Sequence, residues 1–203
     1  MAIDGTAAYR AYAADNELPP LVRAAVEAAR ESGFAYSSLP EHGELLRVLA
    51  RGVGPGAIGE TGTGSGVGLA WLASAAHPRA RLVSVELDKS RATGAAELFH
   101  DEPRVEIIQG DWRELREYGP FDLLALDGGG QGKGSDPAIE PDEWLNPGGL
   151  VVIDDFAPLT SYPPMFQGQV DTVRKHWLEH PRMRATQIRV TPDWSALLAT
   201  YVG

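Results

Sequence analysis

The sequence predicts an α/β fold: a mostly parallel, seven-stranded sheet that ends in an antiparallel hairpin and carries a helical cap at its N-terminus. Three observations predict it. From about residue 56 onward, short apolar runs alternate with helical stretches, the pattern of βαβ crossovers. Runs such as Leu123-Leu124-Ala125-Leu126 are apolar throughout, which suits strands buried on both faces. Near the C-terminus two strand-like segments are joined through Thr191-Pro192-Asp193, a link short enough to force an antiparallel pair.

The 203 residues suffice for one well-filled α/β domain and are too few for two. Residues 1–52 read as a helical cap on a main domain of residues 53–203, the two forming one structural unit. In the cap, Leu21, Val22, Ala25, Val26 and Ala29 recur at helical spacing, as do Leu45, Leu46, Leu49 and Ala50, with a loop from Gly33 to Pro40 between them. The first strand, Ala57–Glu60, runs into a glycine-rich turn and an apolar helix from Val67 to about Ala76. Further strands follow at Arg81–Leu87, Val105–Ile108, Phe121–Leu126 and Gly149–Ile153, with a helix to about His100 after the second. Phe166, Val170, Val173 and Trp177 predict one amphipathic helix. Ile188 and Val190, then Ser195–Tyr201, supply the closing hairpin.

Composition narrows the function. Hydrophobic residues make up 43% and charged residues 23%, ordinary for a globular protein. No apolar run approaches the roughly 18 residues of a membrane span. The net charge of −10 repels phosphate backbones and argues against nucleic acid as a partner. Arg182, Arg184 and Arg189 form the only late basic cluster and read as solvated surface. The absence of cysteine removes disulfides, thiolate metal sites and cysteine nucleophiles. Met1-Ala2-Ile3-Asp4-Gly5 has neither the basic start nor the apolar stretch of a secretory signal, so the expected location is cytoplasmic.

Three constellations carry chemistry. The first is Glu60-Thr61-Gly62-Thr63-Gly64-Ser65-Gly66, where glycines let the chain turn from strand to helix and bring backbone N–H groups close to a ligand. The dinucleotide fingerprint G-x-G-x-x-G fails here: counted from Gly62 its third glycine is Val67, and from Gly64 it is Leu69. That disfavours a nicotinamide dehydrogenase. An acid ahead of the glycines, Glu60, suits a cofactor with a cationic end, such as the ammonium and sulfonium of S-adenosylmethionine (SAM). The second is Glu86, 20 residues after Gly66 at the end of the next strand, placed to accept from both ribose hydroxyls of an adenosine. In the third, Gln109-Gly110-Asp111-Trp112, Asp111 is placed to reach an adenine amino group. Trp112 either covers the adenine ring or is ordinary core.

Taken in order, ETGTGSG, VELD, QGDW, FDLLALD and LNPGGLVVIDD resemble the class I SAM-dependent methyltransferases over about residues 33–203. The resemblance implies their Rossmann-like sheet. It is narrower toward the cation-dependent O-methyltransferases of the catechol and caffeoyl-CoA type. Ser38-Leu39-Pro40-Glu41-His42-Gly43-Glu44-Leu45-Leu46 is similar to the helix before their cofactor loop, which implies Tyr36 and Ser38 near the methionine end of SAM. Asp127 and the pair Asp154-Asp155 stand where that family holds a divalent cation such as Mg²⁺. The cation would lower the pKa of an acceptor hydroxyl, on a small and aromatic molecule, ahead of methyl transfer. Asp155 replaces the family's usual Asn, and Gly130 stands where its lysine base belongs. Lys133 offers a replacement base if it swings inward; a mobile surface lysine is the alternative. In many metal-free methyltransferases an acid after the fourth strand also lies near the reacting methyl, so Asp127 fits a metal-independent enzyme as well. A non-catalytic SAM-binding module is a further reading. Thr160–Phe166 is expected to wall the acceptor pocket, and the resemblance implies pairing into a homodimer.

Overall fold

The computed structural model describes residues 5–203, so Met1–Asp4, part of the segment on which the lack of a leader was read, lies outside the described residues. Three helices come first: α1 (Gly5–Asp15), α2 (Pro20–Glu31) and α3 (Pro40–Val53). Both α2 and α3 open on proline, where a preset φ helps and the missing N–H is one that no helix satisfies. Val22, Ala25, Val26 and Ala29 of α2 are buried, with Leu46 and Ala50 of α3. The periodic residues Leu21, Leu45 and Leu49 pack against the same core while partly exposed.

The sheet follows: β1 (Ala57–Thr61), α4 (Val67–Ala75), β2 (Arg81–Glu86), α5 (Lys89–Leu98), β3 (Val105–Gln109), a 3₁₀ turn at Trp112–Tyr118, and β4 (Phe121–Leu126). Next come α6 (Pro141–Trp144), β5 (Leu145–Phe156), a small hairpin of β6 (Met165–Phe166) and β7 (Gln169–Val170), α7 (Thr172–Glu179), β8 (Met183–Arg189) and β9 (Ser195–Tyr201). The strand order is β3-β2-β1-β4-β5-β9-β8. β1 to β5 are parallel, and β9 and β8 close the sheet antiparallel, as the sequence predicts. One face packs on α1 to α4 through residues such as Tyr9, Leu46, Trp71 and Leu123. The other packs on α6, α7 and the 3₁₀ turn through Leu115, Phe121, Trp144 and Trp177. α4 lacks an amphipathic stripe because it is sandwiched: α2 and α3 cover the side that the sheet does not, and Val67–Ala73 is buried throughout. Among the described residues, no helix is long and apolar enough to cross a membrane.

Two expectations need correction. Phe166 to Trp177 is not one helix, since Phe166 and Val170 lie in the β6–β7 hairpin and the helix begins at Thr172. Turn chemistry overrides the periodicity here. Gln167 and Gly168 take φ of 50° and 79°, the left-handed pair of a two-residue hairpin loop, and Asp171 caps α7 by accepting from the Arg174 N–H at 2.9 Å. β5 is also longer than the expected Gly149–Ile153, and its register against β9 shifts between Ile153 and Phe156.

Strand order reverses between β1 and β4, which opens a crevice at the C-terminal edge of the parallel strands. The ends of β1, β2, β4 and β5 deliver their residues there.

Candidate active site

Two cavities meet at that edge. The larger, about 370 Å³, is lined by the loop after β1 together with Glu86, Arg91, Asp111, Trp112 and Asp127. The smaller, about 260 Å³, is lined by Tyr36, His42, Asp127, Asp154, Asp155 and Trp194, among others. Tyr36, Ser37, Ser38 and Asp127 belong to both walls, so whatever fills one cavity faces what fills the other.

The loop after β1 is shaped by backbone contacts. Gly62 N–H donates to Val85 O at 2.9 Å and Gly66 N–H to Thr63 O at 2.8 Å. At Gly62, φ is +86° and a Cβ would sit 2.5 Å from the Gly128 backbone, so no side chain fits where the loops of β1 and β4 touch. Gly64 and Gly66 also take positive φ, and a Cβ at each would stand 2.8 Å from Phe34 and Phe99 respectively; of the two, Gly64 lines the larger cavity, with Glu86 on its wall.

Glu86 is buried at 5% exposure and organises this wall. Its carboxylate accepts from Gly64 N–H and Asp88 N–H, each at 2.8 Å, and from the Arg91 guanidinium at 2.8 and 3.1 Å. Arg91, which sequence reasoning passed over, also lies 5.5 Å from the Phe34 ring centroid and so links β2 to the loop that carries Tyr36 and Ser38. Asp111 reaches the cavity rim while capping the 3₁₀ turn: it accepts from Arg113 N–H at 3.0 Å and pairs with the Arg113 guanidinium at 2.9 Å. Trp112 is both wall and core, with its ring 5.8 Å from that of Trp144 and its Nε1–H buried without a partner.

Glu60 departs from expectation. It lines neither cavity and is 2% exposed. The parallel register sets it opposite Ser84, whose hydroxyl donates to Glu60 Oε2 at 2.6 Å. Burial, opposed by that hydrogen bond and reinforced by Asp154 and Glu86, pushes its carboxyl up to about 8. The first acid of the loop therefore supports the turn from behind the cavity wall.

The smaller cavity gathers Asp127, Asp154 and Asp155, with one carboxylate oxygen of each within 4.8 Å of the others. Strict alternation along β5 would send Asp154 and Asp155 to opposite faces. The register shift there is a bulge, and Asp155 sits in it at φ 61°, a conformation that Asp and Asn adopt more readily than most residues. Asp127 and Asp155 open to the cleft and Asp154 is half-buried. The cleft walls still strip away water, and desolvation is the main cause raising all three carboxyls; Asp154 adds to it at Asp127 and at Asp155.

Lys133 is drawn in, against the mobile-surface alternative. Its ammonium donates to the Asp154 backbone oxygen at 2.9 Å and lies 4.7 Å from the Phe156 ring centroid. At Gly130, φ is +77° and a Cβ would stand 2.8 Å from Ile139, so a lysine at that position would be strained. His42 was not singled out from the sequence as a site residue. It is 8% exposed, with Nε2 3.9 Å from Asp154 Oδ2, and burial, opposed by Asp155, pushes it down to about 4, which leaves it neutral at pH 7. Its place two residues into α3, directly after the loop shared by both cavities, was the available signal. Thr160–Phe166 does not line the cavity. That segment leaves the edge to form the β6–β7 hairpin, and Val190, Trp194 and Ser195 of the closing hairpin take its place.

The donor set fits a hard cation. Three carboxylate oxygens converge, and Asp154 Oδ1 is buried without a hydrogen-bond partner.

Comparison with known proteins bears on the fold and the family. A family model described as a methyltransferase domain matches residues 60–156. A "Putative O-methyltransferase" of Mycobacteroides abscessus is 32% identical over 66% of this chain and 64% of its own length, so the match spans just under two thirds of that relative. The relative of the same name from Mycolicibacterium paratuberculosis is 30% identical over 85% of this chain and 79% of its own. The O-methyltransferase from Bacillus cereus, solved in complex with SAH, superposes with a TM-score of 0.73 at 20% identity, covering 97% of each chain, a likeness of fold. A sheet switch point holding a glycine loop and a strand-end acid, matched by these relatives over most of its length, places this chain in the class I SAM-dependent O-methyltransferase family.

Proposed function

We propose that this protein transfers the methyl group of SAM to a hydroxyl of a small aromatic acceptor, with a divalent cation at Asp127, Asp154 and Asp155. The observation that carries the reading is the meeting of two cavities at Asp127 and Ser38, one walled by the ribose-type acid Glu86 and the other by the carboxylate triad. SAM supplies an electrophilic methyl on a cationic sulfur, and the cation, when bound, draws an acceptor oxygen into place and lowers its pKa. The chain's own residues do the rest. Glu86 accepts from the ribose hydroxyls. The backbone around Gly62, Gly64 and Gly66, with Ser38, cradles the methionine end. Asp111 and Trp112 flank adenine. Tyr36, Leu39, Val190 and Trp194 give the acceptor an apolar bed. The acceptor oxygen attacks the methyl carbon in line, the C–S pair returns to sulfur, and the hydroxyl proton passes to Lys133 once that side chain has given one of its own protons to solvent. Holding both partners at one junction supplies the orientation.

A second reading keeps SAM and omits the cation. It is favoured by Lys133, whose ammonium donates to the Asp154 backbone oxygen and offsets part of the carboxylates' charge. A chelator separates the two. The cation reading expects EDTA to abolish turnover and Mg²⁺ or Mn²⁺ to restore it, with Asp154→Ala reproducing the loss. Full activity in EDTA and in Asp154→Ala would leave the metal-independent reading standing. The resemblance to paired O-methyltransferases extends the proposal to a cytoplasmic homodimer, checked by light scattering and fractionation.

A further inference from the structure

We propose that Trp194 sets the size of the acceptor and confines the site to single-ring aromatic alcohols. The inference rests on the acceptor role proposed above for the smaller cavity. At about 260 Å³ that cavity lies below the ~300–1,000 Å³ typical of pockets for drug-sized ligands, so the position of each wall decides what enters. The walls differ in how firmly they are held. Tyr36 is 72% exposed on a loop and is free to yield. Trp194 is not. Val190 N–H and Thr191 N–H both donate to Trp194 O, at 2.9 and 3.0 Å, and Trp194 N–H donates to Thr191 Oγ1 at 3.1 Å. The next residue, Ser195, pairs with Phe156, immediately after the bulged Asp155. Turn bonding and sheet register, and not a flexible connection, thus set where the Trp194 backbone stands, and from there its side chain lines the cavity that holds the carboxylates. Among the described residues no other ring stacks on that indole, so a face remains for a planar acceptor.

The probes are catechol and its two-ring counterpart, 2,3-dihydroxynaphthalene, with SAM and Mg²⁺. The wild-type protein is expected to favour catechol in kcat/KM by tenfold or more. Trp194→Ala should shift that preference at least tenfold toward the naphthalene diol and raise the KM for catechol. Trp194→Phe should fall between, and it keeps the test open should the alanine variant fold poorly. Calorimetry of both diols with the SAH-loaded protein gives the same comparison without turnover, as a matching shift in relative affinity. Catechol methylation with an unchanged preference, within twofold, in both variants overturns the role of Trp194 alone. If the wild-type protein neither binds nor methylates either diol, the acceptor assignment fails, and this inference fails with it.

Discussion

Replacing Glu86 by alanine removes the acceptor that organises one wall of the larger cavity. In the proposed pose its carboxylate takes hydrogen bonds from two ribose hydroxyls, and bonds to a charged acceptor contribute about 1.5–3 kcal/mol each. Two such bonds are not additive, and water replaces part of them, so a loss of about 3 kcal/mol is the working figure. At roughly 1.4 kcal/mol per decade this weakens SAM and SAH binding about 100-fold or more. The substitution also strips partners from Gly64 N–H, Asp88 N–H and the Arg91 guanidinium, which loosens the loop after β1. Glu86→Gln keeps one carbonyl acceptor and should lose about tenfold. Calorimetric titration with SAM and SAH at fixed salt reads the affinities, and thermal melts confirm that the variants fold. A well-folded Glu86→Ala protein whose dissociation constant stays within threefold of wild type would refute the placement of the ribose.

Other outcomes follow from the same geometry. Lys133→Met should leave SAH binding intact while cutting methyl transfer at least tenfold and altering the pH–rate profile; unchanged rates and profile would remove Lys133 from the chemistry. Glu60 bears on stability: with a folded value of about 8 against 4.5 unfolded, the unfolded chain alone releases its proton as pH rises through that window. Folding stability therefore falls between about pH 4.5 and 8, by on the order of 5 kcal/mol at most for this group. Glu60→Gln removes the dependence, so chemical denaturation should show its advantage over wild type growing with pH. A constant difference would mean that Glu60 is ionised in the folded protein.

Much of this site was legible from local pattern. Glu86, Asp127, Asp154 and Asp155 were readable because each stands at or just beyond the end of an apolar run, and in a parallel sheet strand ends converge on one edge. That Glu60 lines neither cavity was not legible, because a motif names a position without stating which face it presents; the register with Ser84 turns it inward. Arg91, His42 and Trp194 escaped notice for a different reason. Partners that place them at the site lie far away in sequence: Asp154 for His42, the carboxylate edge for Trp194, and Phe34 for Arg91 beside its local bond to Glu86. The helix expected from Phe166 to Trp177 failed because four apolar residues at helical spacing cannot outweigh a left-handed Gln167-Gly168 turn.

By itself the sequence determined the alternation of strands and helices, the antiparallel close and the acids at the strand ends, since these follow from periodicity, turn length and the direction of the chain. Only the tertiary structure decided that a bulge aims both Asp154 and Asp155 at one cleft, that Lys133 reaches from a glycine-rich loop to the Asp154 backbone, and that the closing hairpin, rather than the Thr160–Phe166 segment, walls the smaller cavity. Those outcomes depend on register and on contacts between segments distant in the chain, and no local window of sequence contains them.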